Sequence, residues 1–284
     1  MVQRLLLQFS PRQTKPWRRA AILVTLALLA ACTTVQTTAP GTVGVDRTQR
    51  FSTLISEQEL EQGSRQAYQE IIGKSEAENT LNPDAAQTKR VRDIAERLIA
   101  QMGVFREDAA SWDWEVNVIE SEQINAWAMP GGKMAVYSGI IEKLELTDDE
   151  LAAIMGHEIA HALREHGRER ASTAAGQGIF ARVVGVATGT RLGEQLANAA
   201  LQVAVGLPNS RTQESEADLI GVELSARAGF DPAGAVSLWE KMAEASGGKN
   251  QPAFLSTHPS ASERIDELKL VVEKVRPLTQ SSSN

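Results

Sequence analysis

The sequence predicts an α+β fold that is mainly helical, with a small sheet beside the helix carrying Gly156-His157-Glu158-Ile159-Ala160-His161. Three observations lead there. Apolar residues recur at helical spacing over 57–72, 83–102 and 147–163, start and stop signals bound a further helix over 209–229, and a final helix is expected over 260–275. Trp112 to Ile119 alternates and is rich in aromatic and β-branched residues, as a strand does. Two extended arms flank Pro130-Gly131-Gly132 just before the histidine-bearing helix, as in a hairpin or sharp bend. At 284 residues, 42% apolar and 23% charged, the chain can bury a full core.

In chain order, residues 1–19 carry Arg4, Arg12, Lys15, Arg18 and Arg19 with no acid, and Ala20 to Ala31 is an apolar run of twelve. That run is too short to span a bilayer as a helix. It ends in Leu29-Ala30-Ala31-Cys32, which resembles the bacterial lipobox, where a signal peptidase cuts before a cysteine that is then acylated. The alternative is a plain secretory signal with an incidental cysteine. Residues 1–31 are therefore expected to be a lipoprotein signal peptide, and Cys32, the single cysteine, the lipidation site that anchors the chain to a membrane it does not cross. In that lipoprotein class an aspartate after the cysteine retains a protein at the inner membrane. Thr33 stands there instead, which implies the outer membrane with the globular part facing the periplasm. Losing residues 1–31 removes five of 29 basic residues and none of the 36 acidic ones, leaving a net charge of −12. That argues against nucleic acid or anionic lipid as the principal partner.

Residues 33–50 lack helical periodicity and have few charges, so 32–55 read as the lipidated cysteine and a flexible tether, 56–276 as the folded domain and 277–284 as a disordered tail. Glu57 to Ile72 and Pro83 to Met102 are expected as structural helices, the second with Val91, Ile94, Ala95, Leu98 and Ile99 on one side. Asn125 to Gly139 has two readings: an ordinary core hairpin, or a strand at a cleft edge that pairs with an extended substrate backbone. Residues 171–206, rich in Ala, Gly and Val, read as one or two amphipathic helices, either a mobile cover or a core hairpin. The final helix, Ser260 to Val275, serves packing, and Arg264 on it is long enough to reach the central helix.

The chemistry centres on that helix. Thr147-Asp148-Asp149-Glu150 forms a capping box, and Leu151, Met155, Ile159 and Leu163 an apolar arc. His157 and His161 lie about 40° apart on the other side, with Glu158 on the flank nearest His161. Two imidazoles so placed hold one Zn²⁺ while the carboxylate takes a proton from water. A third ligand is needed. Arg164 and Gly167 exclude a histidine at the HxxGxxH spacing. His166, nine residues from His157, would point to the opposite side of the same helix and so reads as a solvated or hydrogen-bonded histidine. Glu214 and Asp218, i and i+4 on a helix starting after Pro208 and ending at Gly229, are the better pair: Glu214 as ligand, Asp218 accepting the second N–H of a ligating imidazole. Glu216 points elsewhere.

His157-Glu158-Ile159-Ala160-His161, Asn125 to Gly132, Glu214-Ser215-Glu216-Ala217-Asp218 and Thr257-His258-Pro259-Ser260 resemble, in this order, the motifs of peptidase family M48, the gluzincin metalloendopeptidases. The resemblance covers roughly Ser56 to Val272, and the layout is most similar to that family's outer-membrane lipoproteins. It implies a zincin-like fold, one Zn²⁺ per chain on His157, His161 and Glu214, Glu158 as general base, and Asp218 as support. It also implies substrate binding along Asn125, Ala126, Trp127, Pro130, Gly131 and Gly132. It singles out His258 as catalytic, either assisting the transition state or latching the metal. The implied partners are unfolded or misassembled envelope proteins, with no nucleic acid. A zinc-binding lipoprotein acting mainly as a chaperone, its proteolysis latent, is the competing expectation.

Overall fold

The computed structural model describes residues 32–53, 55–176, 201–202, 206–247, 252–259 and 262–281. The expected signal peptide and most of the Ala/Gly-rich 171–206 stretch lie outside them. Among the described residues, no helix is long and apolar enough to cross a membrane.

The expected helices form, each opened by a local cap. α1 (Glu57–Ala77) and α2 (Ala85–Ile99) begin at Ser56 and Asp84, whose side chains accept first-turn backbone N–H groups. Val91, Ile94, Ala95 and Leu98 are buried, as the spacing of α2 requires. Three strands follow, β3 (Glu115–Ile119), β4 (Ala126–Met129) and β5 (Lys133–Tyr137), after a first pair described below. Their order is β3-β5-β4, with β3 parallel and β4 antiparallel to β5, so β4 is an edge strand. The turn between β4 and β5 places Gly131 and Gly132 at φ 81° and 83°, a region open to glycine at little cost. The sheet is buried on both faces: Val116, Val118, Met134 and Val136 join the main core, and Ile119, Trp127, Met129 and Ala135 pack under Tyr68 of α1.

A short α3 (Ser138–Lys143) leads to α4 (Asp148–Leu163), whose Thr147–Glu150 capping box forms as expected. The sequence sets an apolar arc and a histidine side on different faces of α4, a pattern that ordinarily leaves one of them exposed. Instead every residue from Glu150 to Leu163 is buried, because its many alanines and Gly156 let neighbours close in all round. α5 (His166–Gly176) follows, then α6 (Arg211–Arg227), which opens at Ser210 with a Ser210–Gln213 capping box. α7 (Gly234–Ser246), α8 (Phe254–Thr257) and α9 (Ser262–Ser281) complete the chain.

Two boundary expectations are corrected. The described residues of 32–55 are no tether: β1 (Cys32–Val35) pairs antiparallel with β2 (Gln49–Ser52), and Thr38, Val43, Val45 and Phe51 are buried. The Glu223 carboxylate accepts the Thr42 and Val43 N–H groups at 3.0 and 2.8 Å. These partners lie some 180 residues away, so no local pattern announces them. Nor is 277–281 a disordered tail. α9 continues to Ser281, since Leu278 extends the apolar row of Leu268, Val271 and Val275 onto the core.

α4 and α6 touch backbone to backbone. A Cβ on Gly156 would stand 2.8 Å from Gly221 O, and one on Gly221 2.7 Å from His157 N. Gly221→Ala is therefore expected to destabilise the protein by about 1–3 kcal/mol through overpacking, and to reduce zinc retention by parting the two helices. Gly73→Ala on α1, where a Cβ meets nothing within 4 Å, is the control and should be stabilised by up to about 1 kcal/mol with unchanged zinc retention. Thermal unfolding and metal content of the two variants check this.

Candidate active site

That close approach sets the acidic face of α6 against the histidines of α4. The Nε2 atoms of His157 and His161 lie 3.0 Å apart. Glu214 places Oε1 3.3 Å from His161 Nε2 and Oε2 3.6 Å from His157 Nε2. His258, in the turn after α8, enters the same cluster with Nδ1 3.0 Å from Glu214 Oε1 and 3.2 Å from His157 Nε2. All four side chains are buried, and one donor atom from each lies within 4.8 Å of the others. His258 is positioned by its ring stacked on Phe254 at 4.1 Å and by Asn209 Nδ2 at 3.2 Å from its Nδ1.

The outer ring nitrogens are held as well. His157 Nδ1 pairs with Asp218 Oδ1 at 2.9 Å. Arg264 grips Asp218 through Nε at 2.7 Å and Nη2 at 2.6 Å, and Glu214 through Nη1 at 2.7 Å. Its guanidinium lies 3.7 Å over the Trp239 ring. His161 Nδ1 meets His166 Nδ1 at 2.8 Å, and His166 Nε2 meets Glu216 Oε2 at 3.0 Å. Here the assumption of one continuous helix fails: α4 ends at Leu163, Glu165 takes φ 49°, and the chain turns back into α5. His166 is hydrogen-bonded, as expected, but to a site histidine. The signal available was the loss of apolar period after Leu163. Glu216 does face away from Glu214 and Asp218, toward Arg164, Arg47 and His166.

The electrostatics separate the roles. Burial disfavours charge on Glu214, yet the His161 and His258 imidazoles beside it hold its carboxyl far below the usual range. Burial drives His161 well down and His166 to about 4, so both imidazoles are neutral at neutral pH. Burial also opposes charge on His157, but Asp218 and Glu214 outweigh it and raise its basicity. Glu158 moves the other way from Glu214: burial pushes its carboxyl up, against His258 and His157. Glu214 and Glu158 are thus driven apart.

Glu158 Oε2 accepts the Ala128 N–H of β4 at 3.3 Å. Its Oε1 is buried and makes no hydrogen bond among the described residues, with His258 Nε2 3.4 Å away. The cavity shared by Glu158, His161, His258 and Pro130 is about 20 Å³, room for about one water. Beyond His258 lies a larger cavity of about 290 Å³ lined by Asn125, Ala126, Trp127 and Tyr137. Gly131 and Gly132 serve the turn, packed against Glu61 and Trp114. Cys32 begins β1.

Two imidazoles whose outer nitrogens are occupied, one ionised carboxylate and a neighbouring carboxyl with an oxygen unbonded among the described residues form a donor set that fits Zn²⁺. The fold and this cluster define a zincin-type metallohydrolase centre. The chain belongs to Peptidase family M48, whose family model matches residues 85–272. It is similar to the mitochondrial metalloendopeptidase OMA1 of Schizosaccharomyces pombe, 34% identical over 72% of this chain and 58% of that protein. It is similar to the metalloprotease LoiP of Escherichia coli, 27% identical over 88% of this chain and 95% of that protein. It also resembles the metalloprotease YcaL of Escherichia coli, 31% identical over 54% of this chain and 59% of that protein. The chain spans 58% and 50% of the fission- and budding-yeast OMA1 proteins.

Proposed function

We propose that the protein is a zinc metalloendopeptidase in which His157, His161 and Glu214 hold the metal, Asp218 orients His157 and Glu158 is the general base. The observation that carries this is the meeting of His157, His161 and Glu214 in one buried cluster, beside a carboxyl whose Oε1 makes no hydrogen bond among the described residues. A zinc ion held by these three residues would supply Lewis acidity to an attacking water and to a peptide carbonyl. Ala128 N–H fixes one Glu158 oxygen and leaves the other to take the proton from the attacking water. Glu158 then passes that proton to the leaving amine. An extended substrate adds to the β4 edge, its backbone lying along Asn125 to Pro130, which gives affinity with little sequence preference. The cleaved material is unfolded or misassembled envelope protein. The chain is anchored by lipid at Cys32 in the outer membrane and faces the periplasm. The Leu29-Ala30-Ala31-Cys32 sequence, with Thr33 after it, supports that placement.

A second reading, a chaperone-like protein with latent proteolysis, is favoured by His258. Its imidazole lies within the donor cluster and between the small Glu158 cavity and the larger one. As a fourth ligand it would close the site, and closed zinc sites are structural rather than catalytic. Cleavage of an unfolded casein by the zinc-loaded protein separates the readings. The peptidase loses cleavage to a chelator and regains it with zinc. If His258 latches a site open about a tenth of the time, His258→Ala raises the rate about tenfold. If it steadies the oxyanion instead, the rate falls about 10²-fold or more. No zinc-dependent cleavage by either protein, with zinc bound, would leave only the chaperone.

A further inference from the structure

We propose that His166 and Glu216 form a relay that fixes the metal-binding tautomer and ring orientation of His161, as Asp218 does for His157. The proposal rests on His161 being a zinc ligand. His166 is a positioning residue, reached because the chain turns back at Glu165 (φ 49°) and brings the two rings to 4.9 Å.

The hydrogen bonds run in one direction only. Glu216 is gripped by Arg164 through Nε at 3.1 Å and Nη2 at 3.0 Å, and by Arg47 through Nε at 2.5 Å and Nη2 at 3.0 Å. A carboxylate clasped by two guanidiniums accepts and does not donate. The His166 Nε2 at 3.0 Å from it must therefore carry the hydrogen. Arg47 is shared with Glu169, so two guanidiniums already stand against two carboxylates here and no carboxylate is left over to hold an imidazolium. A neutral His166 then presents a lone pair at Nδ1, and the 2.8 Å contact exists only if His161 Nδ1 donates. That leaves the lone pair of His161 on Nε2, directed at Glu214 Oε1 and His157 Nε2, where a ligand atom has to be. Reversing either bond would put a proton on that atom.

The two ligand histidines are thus braced from the same helix by different routes. Asp218 reaches His157 directly under Arg264. Glu216, two residues earlier and about 200° round α6, reaches His161 only through His166. Arg47 belongs to the segment between β1 and β2, so the amino-terminal residues close the outer end of the relay.

Zinc affinity by chelator competition tests this on wild type, His166→Phe and His166→Gln, with the visible spectrum of the Co²⁺-loaded proteins as a second readout. Losing an outer partner of a ligand costs about 10–100-fold in metal affinity, and His166→Phe should fall in that range with an altered Co²⁺ spectrum. His166→Gln, whose carboxamide both accepts from His161 and donates to Glu216, should restore most of the affinity and the spectrum. His166→Phe binding zinc as tightly as wild type overturns the relay. A wild type that binds no zinc overturns the ligand assignment beneath it. Should His166→Phe fail to fold, long-range ¹H–¹⁵N spectra of the zinc-loaded wild type decide. A bare Nδ1 on His166 with a protonated Nδ1 on His161 supports the relay, and a proton on His166 Nδ1 overturns it.

Discussion

Glu158→Gln is expected to keep its fold and its zinc while losing peptide hydrolysis by about 10³-fold, within the range general-base catalysis supplies. The substitution is isosteric, and the new carboxamide oxygen can still accept the Ala128 N–H that Oε2 now accepts. What disappears is the capacity to take a proton. Because burial already disfavours the charged form of Glu158, the neutral side chain carries no stability cost, and the unfolding temperature should stay level or rise. Turnover of a fluorogenic peptide, metal content and thermal unfolding on one preparation check all three. A variant keeping a tenth of the wild-type kcat/KM would remove Glu158 from the mechanism.

Glu214→Ala should do the reverse, losing the metal first and activity only as a consequence. Among the described residues Glu214 is the one carboxylate within 3.6 Å of both the His157 and His161 imidazoles, so on the proposed assignment its removal should weaken zinc binding by more than the ~10–100-fold typical of an outer partner. It also accepts from Arg264 Nη1 at 2.7 Å and approaches His258 Nδ1 at 3.0 Å. Arg264 stays paired with Asp218, but its Nη1 loses this buried acceptor, at a cost of about 1–3 kcal/mol. The metal-free protein should therefore melt lower as well. Calorimetric titration with zinc beside thermal unfolding of the stripped protein separates the two losses, and unchanged zinc affinity would move the third ligand elsewhere.

Much of the site was legible in the sequence because it is built on two helices with regular spacing. His157 and His161 share a face by helical geometry, and Glu214 and Asp218 do the same four residues apart. The capping boxes at Thr147 and Ser210 mark where each helix starts and so fix the phase of those faces. Arg264 was within reach of the site by length alone, and the structure seats it on Asp218 and Glu214. The part of His166 was hidden because a spacing argument holds only while the helix continues, and the positive φ at Glu165 ends it within two residues of the last apolar position. The packing of residues 36–52 was hidden for a different reason. Thr42 and Val43 are held by Glu223, and Arg47 by Glu169 and Glu216. Short polar segments carry no periodicity from which such partners could be inferred.

What the amino-acid sequence determined by itself is therefore local: which residues share a helix face, where helices begin, and which side chains have the chemistry of a zinc hydrolase. Only the tertiary structure decided which face meets which. Gly156 and Gly221, unremarkable in sequence, let two backbones touch and bring Glu214 to His157 and His161. The placement of His258 between two cavities, the edge position of β4 beside Glu158, and the relay from Arg47 to His161 all join residues far apart in the chain. The physical reason is common to them. Periodicity and capping depend on neighbours within a few residues, whereas these contacts are fixed by close packing and by satisfying buried polar groups, which depend on the whole fold.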